Sequence, residues 1–274
     1  MDFAKPLPAM EVLRVAFFPF IYVFLFGLVF GSFLNVVVYR LPQGLSIVKP
    51  RSFCPSCKSS IPFYDNIPVV SFIILNGKCR ACKAKISFEY PFVESLTGLL
   101  FLAVFIRDGL SPLLPFHLFF IFTMLALALI DLHHRILPNV ITLPGVAIGF
   151  LSSFVSRSLP WWDSLTAIFL FSLLLLGLSL LYNVIRGVEG LGMGDVKMIG
   201  MIGAFLGIKL TILTILLSSV LGLLSGLVIV IAGKGDFQYK LPFGTFLAIA
   251  AVLSLFLGTP IIQAYLAFIQ GMWN

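Results

Sequence analysis

Long uncharged apolar runs are the feature of this sequence that most constrains its fold. No charged residue stands between Asp163 and Arg186, between Lys209 and Lys234, or after Lys240. A helix needs about 20 such residues to cross the apolar core of a bilayer. Charged residues make up 11% of the chain and mean hydropathy is +1.11, whereas soluble domains have about 25% charged residues. The sequence therefore predicts an all-α polytopic membrane protein and excludes a soluble or disordered chain.

Eight candidate membrane spans follow from these runs. They cover residues 15–39, 92–107, 116–131, 140–157, 165–186, 195–209, 210–232 and 243–269. The first span lacks a small-x-small cleavage pattern and carries Glu11 and Arg14 just before it, so it is predicted to be retained rather than cleaved as a signal peptide. We divide the chain into a first transmembrane helix (1–40), a loop domain (41–90) and a membrane-embedded domain (91–274).

The positive charges predict the orientation. With eight spans, thirteen of the eighteen Lys and Arg residues lie on the side of loop 40–90, and the other five lie on the opposite side. The positive-inside rule then places this loop in the cytoplasm and both termini outside. We attribute the net charge of +7 to the basic residues that orient the chain in the membrane, and we expect no nucleic-acid partner.

All four cysteines lie in the predicted cytoplasmic loop. They form two C-x-x-C pairs separated by 21 residues: Cys54, Cys57, Cys79 and Cys82. Four converging thiolates suit a tetrahedral Zn²⁺ with no open position, so the metal would be structural rather than catalytic. Disulfides, a redox pair or free thiols are the alternatives, and disulfides are disfavoured in a reducing compartment. The pattern predicts a zinc-ribbon-like loop domain.

Three acids in or against the apolar spans are candidates for function: Glu94, Asp131 and Asp195. A charge at membrane depth costs at least about 2.5–3.5 kcal/mol, so such residues are functional hypotheses by default. Asp131 ends the third span and Asp195 closes a GMGD sequence, with two spans between them. An even number of crossings predicts both carboxylates on one membrane side. Glu94 could reach the interface, pair with a basic group or help to bind substrate.

Two facing carboxylates can share a proton, with one acting as base on a water and the other as acid. Gly192 and Gly194, beside Asp195, would let a substrate backbone come close. The alternatives are that Asp131 pairs with Arg135 or a histidine and that Asp195 caps a helix. No G-x-S-x-G, phosphate-loop or dinucleotide motif occurs. The same-side pair favours aspartic-protease chemistry.

Together these features resemble the type IV prepilin peptidases, GxGD-type intramembrane aspartic proteases. The resemblance rests on the cysteine quartet and on five ordered segments, 31–42 (GSFLNVVVYRLP), 90–94 (YPFVE), 130–139 (with LPN at 137–139), 192–197 (GMGDVK) and 241–248 (LPFGTFLA). Thr245 stands where the family usually has a second proline. We expect this difference to matter little.

The resemblance implies that Asp131 and Asp195 are catalytic. It implies cleavage of the basic leader of prepilins and pseudopilins after a glycine, at the cytoplasmic face of the bacterial inner membrane. It also implies methylation of the new N-terminus from S-adenosylmethionine, in service of type IV pili or type II secretion. No methyltransferase fingerprint occurs, so the residues that bind this cofactor, like the oligomeric state, stay unassigned.

Two other functions are compatible with parts of the sequence. A transporter could use the acids as a proton or ion relay, although no half-to-half repeat is present. A membrane-anchored zinc module could act only as an assembly scaffold. Such a scaffold would tolerate Asp131→Ala and Asp195→Ala but not loss of the cysteines.

Overall fold

A computed structural model describes residues 9–187, 192–232 and 241–272. Helices dominate, and none of these residues forms a β-strand. The chain divides into two compact units, Met1–Leu114 and Pro115–Asn274. The predicted all-α architecture is confirmed.

The first unit pairs two long helices, α1 (Ala9–Arg40) and α3 (Glu89–Asp108), around a loop that holds the short helix α2 (Val70–Ile74). A Cβ atom at Gly27 would lie 2.7 Å from the Cα atom of Gly98, and one at Gly31 would lie 2.6 Å from that of Glu94. Only glycine permits this approach of two backbones, as at small-residue contacts in membranes. Contacts thus group α3 with α1, whereas our division by sequence had assigned it to 91–274.

The second unit contains five helices, α4 (Leu114–His134), α5 (Asn139–Val155), α6 (Trp161–Arg186), α7 (Met193–Ile231) and α8 (Phe243–Met272). Helix α7 is the centre, because α5, α6 and α8 all pack against it. Its N-terminal half is buried, with Met198, Ile199, Met201 and Ile202 fully inaccessible. Helix α6 instead exposes many leucines, as a surface facing lipid would.

The predicted count of eight spans is not confirmed. In the described ranges six helices are long and apolar enough to cross a membrane, and α5 is a shorter apolar helix. The predicted spans 195–209 and 210–232 are parts of α7, which would be roughly 58 Å long if straight.

The helix is broken at Gly207, where φ is 71° and ψ is −178°, a conformation that only glycine adopts without strain. The segment before the break is roughly 21 Å long, too short for a hydrocarbon core of about 30 Å. The backbone N–H of Ile208 donates to the carboxylate of Asp163, 3.4 Å away, so an acid caps the restarted helix.

The orientation of the chain stays a prediction. Three of the charges on which it depends, Lys5, Lys234 and Lys240, lie outside the described residues.

Candidate functional site

The four cysteines of the first unit converge. The Sγ atoms of Cys54, Cys57, Cys79 and Cys82 all lie within 4.8 Å of one another, and none is in a disulfide. The Sγ atoms of Cys54 and Cys82 are 3.8 Å apart. Four sulfurs at the Zn–S distance of about 2.3 Å would be separated by about 3.8 Å in a tetrahedron. The donor set and its spacing therefore fit a structural zinc ion.

The two cysteine pairs lie in turns of the same construction. After each pair the following lysine has a positive φ, 59° at Lys58 and 58° at Lys83. Its backbone N–H donates to the carbonyl of the first cysteine, at 2.8 Å for Lys58 and 3.0 Å for Lys83. Isolated antiparallel bridges, Phe53 with Ser60 and Lys78 with Lys85, close the two turns. The repeated C-x-x-C-K sequence was the signal for this duplication, which the spacing of the cysteines alone did not predict.

Hydrogen bonds favour the thiolate at two of the four cysteines. Hydrogen bonds with the Ser59 side chain and backbone lower the pKa of Cys57 to about 6, and Ser59 Oγ lies 2.9 Å from the Cys57 sulfur. Backbone hydrogen bonds from Cys82 and Ala81 lower the pKa of Cys79. A backbone hydrogen bond from Ala84 lowers the pKa of Cys82, but burial and hydrogen bonds with the other three cysteines raise it to about 11. Because zinc binds thiolates, metal binding would displace the proton from that sulfur.

The two aspartates of the second unit are buried at adjacent helix ends. Asp131 is 6% exposed in the last turn of α4, and Asp195 is 9% exposed in the first turn of α7. Leu137, which follows α4, lies against Gly194 next to Asp195, and Gly244 lies against both Leu137 and Asp131. The structure thus brings together two acids that are 64 positions apart.

Leu137 lies between the elements that carry the two acids. A Cβ atom at Gly194 would lie 2.8 Å from the Leu137 Cβ atom, and one at Gly244 would lie 3.0 Å both from Leu137 Cδ1 and from Asp131 Oδ2. The lack of side chains at these glycines lets the segment after α4 and the starts of α7 and α8 meet around the acids. Gly194 therefore has a packing role next to Asp195.

Each aspartate accepts a hydrogen bond through Oδ2. The backbone N–H of Gly192 donates to Asp195 at 3.3 Å, which is the helix-capping alternative named above. The backbone N–H of Thr245 donates to Asp131 at 2.8 Å. The Thr245 hydroxyl lies 3.2 Å from the same carboxylate oxygen and 3.0 Å from the Ala128 carbonyl. Thr245 is thus a site contact that sequence reasoning missed, and its departure from the usual proline was the signal.

Glu94 belongs to the first unit. It is 8% exposed, and its Oε2 atom accepts the backbone N–H of Val69 at 2.7 Å. Val69 has a φ of 59°, a conformation that is strained for a β-branched residue. This carboxylate therefore ties helix α3 to the cysteine loop.

Two family models match the chain over these regions. Residues 25–107 match the Bacterial Peptidase A24 N-terminal domain, and residues 118–227 match the Type IV leader peptidase family. Proteins named Prepilin leader peptidase/N-methyltransferase from Pseudomonas aeruginosa and Aeromonas salmonicida are 36% and 34% identical to this chain. The alignments cover 89% and 90% of this chain and 92% and 94% of those relatives.

The chain belongs to the type IV leader peptidase family. The predicted resemblance is thereby confirmed. In this family member Asp131 and Asp195 lie inside the match to the leader peptidase model, and all four cysteines and Glu94 lie inside the match to the N-terminal domain. No solved structure matches the chain significantly.

Proposed function

We propose that this family member cleaves the leader of type IV prepilins and pseudopilins and methylates the N-terminus that cleavage creates. The observation that carries the proposal is the buried pair Asp131 and Asp195, which lies in the segment similar to leader peptidases. The names of the relatives support both activities. The family membership also favours a peptidase over the transport alternative.

In the proposed cleavage, one of the two carboxyl groups is ionised and the other holds the shared proton. The ionised carboxylate takes a proton from water as the water oxygen attacks the scissile carbonyl carbon. The protonated partner stabilises the developing oxyanion by a hydrogen bond. A proton then reaches the leaving nitrogen as the C–N bond breaks, which releases the leader and a free N-terminal amine.

S-adenosylmethionine, as methyl donor, would supply an electrophilic methyl group to that amine. Transfer of that methyl group would make an N–C bond and break the C–S bond, whose electron pair would stay on sulfur, and the amine would lose one proton. Zinc on the four cysteines would hold the loop in its fold without taking part in either reaction.

The proposed location is the bacterial inner membrane, with the aspartates at the cytoplasmic face. Two helices, α5 and α6, lie between the aspartates along the chain, which is compatible with acids on one membrane side. The basic loop 40–90 supports a cytoplasmic assignment of that side. A basic leader would be held in the same compartment.

The experiment that tests the peptidase is leader release from a prepilin-like substrate by purified protein in detergent, followed by mass spectrometry. Asp131→Asn and Asp195→Asn should each lower the rate by about 10²–10⁴-fold, the contribution expected of a general acid or base. Asp163→Asn is the matched control, because this acid of the same unit caps the restarted α7 and its asparagine can still accept from Ile208.

Normal leader release by both Asp131→Asn and Asp195→Asn would refute the assignment of the acids. Equal loss in Asp163→Asn would assign the effect to folding of the second unit. Failure of the wild-type protein on several prepilin-like substrates would refute the peptidase function itself.

A further inference from the structure

A cavity of about 590 Å³ lies inside the first unit. Helix α1, the cysteine loop and the start of α3 all contribute to its wall. Small-molecule sites have volumes of about 300–1,000 Å³ and combine apolar walls with a few placed polar groups. Cys54 and Cys79 belong to the wall, so the cavity adjoins the metal centre. Neither the acid pair nor the metal centre accounts for a space of this size.

Two buried residues of opposite charge line the cavity. Arg40 on α1 is 5% exposed, and Glu94 on α3 is 8% exposed. The guanidinium of Arg40 donates to the Ser46 and Arg51 carbonyls at 3.1 and 3.2 Å, which leaves three of its five N–H donors for a ligand.

A second pair of opposite charges in the lining, Arg80 and Asp65, is joined by two hydrogen bonds of 2.6 and 2.7 Å. This pair is neutralised internally. Among the described residues of the lining, Arg40 and Glu94 are therefore the buried charged residues outside this ion pair.

Aromatic side chains complete the lining. Tyr39, Phe53, Phe72 and Tyr90 all belong to it, and their rings offer apolar surface to a planar heterocycle. A ligand suited to this cavity has an aromatic base, a carboxylate for Arg40 and a positive centre for Glu94. S-adenosylmethionine has all three: an adenine, an amino-acid carboxylate and a sulfonium.

We propose that this cavity is the binding site for S-adenosylmethionine, with Glu94 facing the sulfonium. The inference rests on the methyltransferase activity proposed above. Glu94 also accepts hydrogen bonds from the Val69 backbone and the Ser32 side chain. One carboxylate has two oxygens and about four acceptor positions, so part of its surface can still face the ligand. The test must therefore separate two effects of Glu94, its attraction to the sulfonium and its hydrogen bond to the loop backbone at Val69.

Comparison of S-adenosylmethionine with S-adenosylhomocysteine makes that separation, because the second molecule lacks the methyl group and the positive charge on sulfur. Binding is measured by equilibrium dialysis with the full-length, zinc-loaded protein in detergent. Glu94→Gln should weaken binding of S-adenosylmethionine by about tenfold or more and that of S-adenosylhomocysteine by less than about threefold, the scale of one attraction between opposite charges near a protein surface. Glu89→Gln, an exposed acid on the same helix outside the lining, should change neither Kd.

A second variant tests the cavity without changing charge. Val36 lines it from α1, and Val36→Phe should weaken binding of both ligands by about tenfold or more because it fills the space. Zinc content and the thermal unfolding temperature report whether each variant is folded.

Unchanged binding in folded Val36→Phe would overturn the proposed site, as would equal weakening of both ligands by Glu94→Gln. In either case methylation by wild type would still stand. If wild type binds neither molecule and does not methylate, the proposed methyltransferase activity fails as well.

Discussion

The two units assemble their chemical groups in opposite ways. In the first, four sulfurs come from a loop between Cys54 and Cys82 that contains one α-helix of five residues and one 3-10 helix of four. In the second, Asp131 and Asp195 come from the ends of the long helices α4 and α7. The rings of Phe120 and Phe205 join these two helices, and Thr245 of α8 donates to Asp131. A short loop can hardly bury enough apolar surface to fold alone, whereas a helical bundle can. The loop is therefore expected to depend on its metal, and the acid pair on helix packing.

The largest expected effect is on the loop. Structural zinc contributes about 10–16 kcal/mol of apparent binding free energy in zinc-finger peptides, so the double variant Cys54→Ser/Cys79→Ser should lose zinc and unfold the loop. Metal analysis should show zinc falling from one ion per chain to none. Limited trypsin digestion should then cut at the loop lysines and arginines, which stay protected in wild type.

Ser56→Ala is the control for this variant, because Ser56 lies between two cysteines and is exposed. It should keep both zinc and protection from trypsin. If the loop stays protected from trypsin without zinc, the claim that its fold depends on the metal is wrong.

Helix packing also supports the first unit, and Gly31→Ala tests this contribution. The new methyl group would lie 2.6 Å from the Glu94 Cα atom, and overpacking of this kind costs about 1–3 kcal/mol. The unfolding temperature in detergent should fall. Gly177→Ala, where a Cβ atom meets nothing within 4 Å, should be neutral or stabilising by up to about 1 kcal/mol. Equal effects of the two changes would show that the contact of α1 with α3 is not tight.

The smallest expected effect concerns Thr245 in the second unit. Thr245→Val removes the hydroxyl and keeps the backbone N–H that donates to Asp131. One hydrogen bond contributes about 0.5–1.5 kcal/mol, so leader release should slow by about 2–10-fold. Thr245→Ser should restore the wild-type rate. If Thr245→Val cleaves as fast as wild type, the hydroxyl has no part in positioning Asp131.

The contrast between the units also explains which features the sequence could predict. The convergence of the cysteines was readable because the spacing of the ligands is local. The parity of the spans predicted that Asp131 and Asp195 share a membrane side, which stays a prediction. Contacts around Leu137 bring the two acids to one end of the second unit. The limits of α3, at Glu89 and Asp108, differ from the predicted 92–107 by only a few residues.

Contacts between residues far apart in the chain could not be predicted from the sequence. The break at Gly207 lies two residues from the predicted boundary at Lys209. Its partner, the carboxylate of Asp163 from another helix, was not predicted. Thr245 was noted only as a departure from a motif, because its contact with Asp131 joins α8 to α4 across 114 positions. The packing of separate helices decides which side chain contacts each acid, and no single segment of the sequence predicts that packing.

The central claim is that the two units serve two separable reactions. The most direct test follows leader release and methyl addition by mass spectrometry in one assay, with intact prepilin and with pilin lacking its leader. Asp195→Asn should fail to release the leader but should methylate the pilin that lacks it. Cys54→Ser/Cys79→Ser should release the leader and add no methyl group. Loss of both activities in folded Asp195→Asn would contradict the account, as would loss of leader release in the cysteine variant while its second unit stays folded.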